Sequence, residues 1–294
     1  MKEIKVDFKP MIKRLEATSR RGLFGESSGE YRSVFKGRGF EFTGFRQYLT
    51  SDDARTIDWK ASIRARELLI REYAEERNLQ IVFFLDVSSS MSFASVPKLK
   101  NEYAAELIAS LTYAMLEAGD QVGLVMFTDK IVRSIPPNSG ARQFYTITKA
   151  LSDPKLYDGS VDFSKALRYA GTSIKQNTII IMVSDFIGLG KDWESPLRAV
   201  AQRSEFIGIM VRDPFDLVLP DVGQVVISDP FSEHELVLNT TALRFSYALE
   251  TRRQIESLRK LFSEINSDLV VVTTNKPFTK TIVDFFGERK KKWR

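Results

Sequence analysis

Leu79-Gln-Ile-Val-Phe-Phe-Leu-Asp-Val-Ser-Ser-Ser-Met91 is the stretch on which the reading of this chain turns. Leu79 to Leu85 carries no charge and is rich in β-branched and aromatic residues. A run of this kind, without polar alternation, fits a strand buried on both faces of a sheet. The aspartate and three serines that follow it sit where a strand would hand over to a loop.

Downstream, uncharged runs alternate with amphipathic ones. Lys98 to Ala118 reads as a helix, with Tyr103, Leu107, Leu111 and Met115 on one stripe, stopped by Gly119-Asp120. Gln121 to Phe127 is the next strand, and Lys130 to Ile135 can pair with it. Helices are expected over Arg142 to Leu151, Phe163 to Ile174, Trp193 to Gln202 and Thr241 to Ile265. Strands are expected at Thr178 to Ser184, Phe206 to Val211 and Asp268 to Thr273, with shorter pieces at Gln224 to Ile227 and Glu235 to Leu238. Phe278 to Phe286 closes as a short helix. Uncharged strands alternating with helices indicate an α/β, doubly wound, mostly parallel sheet covered on both faces.

Residues 1–78 read differently. Tyr31 to Tyr48 is dense in glycine, aromatics and arginine, and Leu68 to Tyr73 looks like a short strand, so this part is expected to be a β-rich extension. The main domain is expected over 79–287 and a basic tail over 288–294. That tail holds five basic side chains and one acid, and so accounts for most of the net charge of +5 carried by the 294 residues. The body is nearly neutral, which gives no reason to expect a nucleic-acid partner.

In open α/β sheets, ligands bind beyond the carboxyl ends of strands, near a switch in strand order. Asp86, Ser88 and Ser90 lie just past the first buried strand, and Asp185 ends another in Val183-Ser184-Asp185. If those strands are neighbours, four oxygen-bearing side chains converge. Oxygen donors suit Mg²⁺ or Mn²⁺, the former with octahedral bonds of about 2.0–2.1 Å. Serines are neutral ligands, so such an ion is short of anionic partners, and a carboxylate from another protein could complete its shell. The competing reading is that Asp86 and the serines merely cap the next helix.

Ile81 to Met91 resembles the first strand and metal-ion-dependent adhesion site of von Willebrand factor A domains, and Val183-Ser184-Asp185 resembles their later aspartate. Upstream, Gly37-Arg-Gly-Phe-Glu-Phe42, Arg46-Gln-Tyr48, Asp52-Asp-Ala-Arg-Thr-Ile-Asp-Trp59 and the Ala61 to Arg66 stretch are similar to the signature of the bacterial "domain of unknown function 58" family. The resemblance implies an A-domain fold and frequent association with MoxR-type AAA+ ATPases, without an established biochemical activity. It departs from the pattern at one place. A domains set a metal-binding threonine in a glycine-rich loop, and the matching Asp158-Gly-Ser-Val-Asp-Phe163 places Val161 there. Valine cannot ligate; Ser160 or Asp162 could substitute if the loop shifts by one residue. An added aspartate would weaken the need for a partner carboxylate.

Other chemistries fare badly. There are no cysteines, and His234 is the one histidine, so disulfides, thiolate sites, zinc sites and most triads drop out. No Gly-x-Ser-x-Gly elbow is present, and position 88 lacks the second carboxylate of an aspartyl phosphatase. Met1 to Asp7 lacks a signal peptide's apolar region, and no apolar run reaches the roughly 20 residues that span a bilayer. The expectation is a cytoplasmic, non-enzymatic adaptor whose metal face takes an acidic side chain of a partner. Two alternatives stay open. One is a metal-dependent phosphate-ester hydrolase using Asp162 as base. The other is an interaction protein with a vestigial site that uses the arginine-rich 46–66 surface, where Arg46, Asp52, Asp53, Arg55, Asp58, Arg64 and Arg66 otherwise read as an ion-pair lattice.

Overall fold

The computed structural model describes residues 41–49, 52–74, 79–228 and 235–292. His234, positions 37–40 of the upstream signature, and Trp293 and Arg294 of the basic tail lie outside the described residues.

The first described unit is small. Strand β1 (Glu41–Gln47) pairs antiparallel with β2 (Leu69–Ala74), and helix α1 (Trp59–Ala65) lies between them in sequence. Asp58 starts α1 by accepting the Lys60 and Ala61 amides, and Arg66, in the left-handed region at φ 57°, ends it. The described part of the extension thus holds a short helix beside its two strands.

The main unit is built on β3 (Gln80–Asp86), β4 (Gln121–Phe127), β5 (Ile131–Asn138), β6 (Ile179–Ser184), β7 (Glu205–Arg212) and β10 (Asp268–Thr273). They form one sheet in the order β10-β7-β6-β3-β4-β5. Every pairing is parallel except β4 with β5. The doubly wound layout read from the uncharged runs is what the sheet shows. The edge strand β5 contains Pro136-Pro137, which its partner accommodates at Gly123, where a Cβ would lie 2.8 Å from the Ile135 carbonyl.

Helices cover both faces. On one side pack α2 (Lys100–Glu117), α3 (Ala141–Leu151) and α8 (Phe278–Lys292). On the other lie α4 (Phe163–Ser173), α5 (Glu194–Ala201) and α7 (Thr240–Glu264). The stripe Tyr103, Leu107, Leu111 and Met115 is buried, as its spacing requires. Gly208 allows α7 to sit close, since a Cβ there would be 2.7 Å from the Phe262 ring. The short helix α6 (Pro214–Leu217) follows β7, and a separate hairpin of β8 (Gln224–Ser228) and β9 (Glu235–Asn239) precedes α7.

Helix α8 runs through the start of the basic segment. Arg289 is buried there, pairing with Glu205 and with Asp268 at 3.0 Å. A segment whose composition reads as a solvated tail is thus tied to the first residues of β7 and β10. Among the described residues no helix is long and apolar enough to cross a membrane.

Candidate functional site

Strand order reverses between β3 and β6: β4 and β5 lie to one side of β3, while β6, β7 and β10 lie to the other. The carboxyl ends of β3 and β6 therefore flank the crevice where ligands collect in such sheets. In register, Leu85 stands opposite Val183, which brings Asp86 level with Ser184.

Asp86 is fully buried. Its Oδ1 accepts the Ser88 amide at 2.9 Å, closing a tight turn, and its Oδ2 accepts the Ser184 hydroxyl at 2.7 Å. Among the described residues no cation pairs with it. Its carboxyl is pushed up to about 6, first by burial and then by the charge of Asp185; the Ser184 and Ser88 donors pull the other way. Ser184 Oγ in turn accepts the Phe186 amide at 3.0 Å, and Phe186 adopts φ 53°. That left-handed step, held by Phe186 stacking on Phe163 at 5.6 Å, turns the chain immediately after Asp185.

Ser88 and Ser90 place their hydroxyl oxygens 3.0 Å apart. Ser89 points elsewhere. Its amide and hydroxyl both donate to the Gly159 carbonyl, and its hydroxyl meets Asp158 at 3.2 Å. This pins the glycine-rich loop against the serine loop. Within that loop Val161 packs on the apolar core beneath, and Ser160 is exposed. Asp162 caps α4 by accepting the Lys165 amide at 3.1 Å, with Lys165 Nζ 3.5 Å away. Among the described residues neither Ser160 nor Asp162 bonds to Asp86, Ser88, Ser90 or Asp185. Thr128, buried just beyond β4, does reach this area: a Cβ on Gly159 would lie 3.7 Å from it.

Asp185 is also fully buried, but it has a cation. Lys100 Nζ donates to its Oδ2 at 2.8 Å and to Asp216 Oδ2 at 2.9 Å, while the Ile187 amide takes its Oδ1 at 3.0 Å. Asp216 further accepts the Asp213 amide, and Asp213 accepts the Ser95 amide and hydroxyl and the Phe215 amide. Arg212 lies buried in the same region, its Nε without a hydrogen-bond partner among the described residues; burial pulls it below its ordinary range despite Asp185 and Asp216. Sequence reading missed Lys100, Thr128, Asp213 and Asp216. One signal was there: Lys100 is the first residue of α2, at the end of a helix where acids are favoured and a lysine is unwelcome.

Among the described residues no three acidic or histidine side chains gather as a metal cluster. A cation here would rely on Asp86 and serine hydroxyls, and that oxygen-only set fits a hard ion.

Part of the 46–66 cluster forms internal supports, while Arg64 and Arg66 are exposed. Arg46 forks onto Asp52 at 2.7 and 2.8 Å, and that contact holds the Asp52 carboxyl down at about 2. Asp53 accepts the Arg55 amide and its side chain. The ring of Trp59 and the side chain of Ile63, one turn apart on α1, stay 62% and 77% exposed.

A family model described as "Protein of unknown function DUF58" matches residues 44–257. An uncharacterized protein of Mycobacterium tuberculosis (strain ATCC 25618 / H37Rv) is 26% identical over 284 residues, which is 95% of this chain and 89% of that protein. Two solved structures are similar in outline. The conserved hypothetical protein BatB from Bacteroides thetaiotaomicron aligns with a TM-score of 0.46 at 15% identity, over 73% of this chain and 99% of its own. A von Willebrand factor type A structure from Catenulispora acidiphila aligns with a TM-score of 0.42 at 12% identity, over 76% of this chain and 43% of its own.

Proposed function

Because the chain belongs to the DUF58 family, we propose that it is a protein-interaction module whose Asp86–Ser90 edge holds Mg²⁺ or Mn²⁺. The observation that carries this reading is Asp86 itself: a fully buried carboxylate with no cation against it among the described residues, beside a second carboxylate. Burying an unpaired charge is costly, and sites that do so without compensation tend to be functional. The hydroxyls of Ser88 and Ser90 supply neutral donors next to it. Asp185, and Ser160 or Asp162 after a shift of their loop, are the further candidate donors. Bound there, a divalent ion offers an open position to a carboxylate of a partner protein. The partner that the family resemblance implies is a MoxR-type AAA+ ATPase, presenting an acidic side chain. The role is that of an adaptor, with no chemical step assigned to any residue.

Calorimetric titration of chelator-treated protein with Mg²⁺ and Mn²⁺ tests this. One saturable site is expected, absent in Asp86→Ala, with the variant retaining a cooperative melt. A variant that unfolds instead would return Asp86 and the serines to a capping role. Absence of saturable binding to the wild-type protein would overturn the metal reading.

A second reading has its own observation. Trp59 and Ile63 stand exposed on α1 among Arg55, Lys60 and Arg64, a composition typical of energetically dominant contact residues. Lys60→Glu with Arg64→Glu would then abolish capture of the ATPase, while Asp86→Ala would leave it intact.

A further inference from the structure

Lys100 stands in an environment that disfavours it in three ways. It is 1% exposed, it opens a helix whose amino end carries partial positive charge, and the buried Arg212 guanidinium shares its surroundings. What offsets this is a bridge between two carboxylates, Asp185 at 2.8 Å and Asp216 at 2.9 Å, with the Phe93 ring 5.8 Å from the ammonium. The bridge also divides the crevice electrostatically. Asp185 has its cation, while Asp86, on the neighbouring strand, has none among the described residues.

We infer that Lys100 is a tethered cation that neutralises Asp185, leaving Asp86 as the one uncompensated anionic ligand of the divalent-ion site. The inference rests on the metal reading above and adds a rule to it. With a single effective negative charge and neutral hydroxyls, the free protein holds Mg²⁺ or Mn²⁺ weakly, and the carboxylate of the acidic partner supplies the missing charge. The ammonium also repels any ion that approaches Asp185, so direct ligation by that residue requires the lysine to withdraw. Lys100 is in this sense a positioning residue: it touches a ligand of the ion and not the partner.

The test is titration of Mn²⁺ alone, without a partner, into wild type and into the double variant Lys100→Met with Asp216→Asn. The second change removes the carboxylate that the first would strand. Binding by the double variant about tenfold or more tighter than wild type is expected, since a buried unit charge acts strongly on an ion a few ångströms away. Its melting temperature should likewise rise more on adding Mn²⁺. Equal or weaker binding by a folded variant overturns the role of Lys100 and leaves the metal reading standing. No binding by either protein overturns the metal reading and the inference with it. If the double variant does not fold, Lys100→Gln, which keeps an N–H donor for Asp185, is read by the same criteria.

Discussion

Asp86 accepts from Ser88 N–H and Ser184 Oγ and, among the described residues, meets no positive charge. Its folded-state value of about 6 lies above that of an unfolded chain, so folding favours the protonated form. The stability that follows is fully present below about pH 4 and is lost as pH rises through 6, by about 2–3 kcal/mol in all. Urea unfolding of metal-free protein should therefore show wild type losing ground to Asp86→Asn between pH 4 and 7. A pH-independent difference would mean that the carboxyl is not strained. At this scale the sequence yielded Asp86, Ser88, Ser90 and Asp185, because strand ends are visible in one dimension. Lys100 left only its unwelcome place at a helix start, and Asp216 left no trace, because Lys100 meets Asp185 and Asp216 across 85 and 116 positions of chain.

Elements were readable to the extent that burial left them uncharged. Thr178 to Ser184 and Asp268 to Thr273 fall within a residue of β6 and β10, since a strand covered on both faces has little room for charge. Helix α1 escaped notice because seven residues are too few for a periodic pattern, and α8 was cut short because its last turn is a string of charges. The seating of α7 makes a sharper statement. Gly208→Ala would press on Phe262 and Leu269 and should cost about 1–3 kcal/mol, measured as a lower denaturant midpoint; a neutral result would show that α7 can ride outward. At the far end of the sheet, Arg289→Ala should cost about 2–3 kcal/mol, less than a wholly buried pair because Glu205 and Asp268 are each about a third open to water. Retention of stability there would make α8's last turn dispensable.

Across the whole molecule, the two ends of the parallel strands do different work. The amino ends of β7 and β10 are locked by Arg289, while the carboxyl ends of β3 and β6 gather the buried charges. Ion pairs fasten one end of the sheet, and the buried carboxylate Asp86 lies at the other. The doubly wound arrangement followed from the order of apolar runs. Which helix covers which face did not, since that depends on the strand order and only the folded chain displays it.

The prolines of β5 bear on crowding. An edge strand with open N–H groups can recruit another chain and seed growth into aggregates. Successive N–H groups of a strand alternate in direction, so of the adjacent Pro136 and Pro137 one lacks a donor on the side away from β4, at the rim of a sheet whose interior strands are strongly apolar. The rim thereby offers another chain fewer backbone donors to pair with. Pro136→Val with Pro137→Val should make the protein scatter more light on mild heating than wild type does, and equal scattering would show that the prolines do not guard this edge.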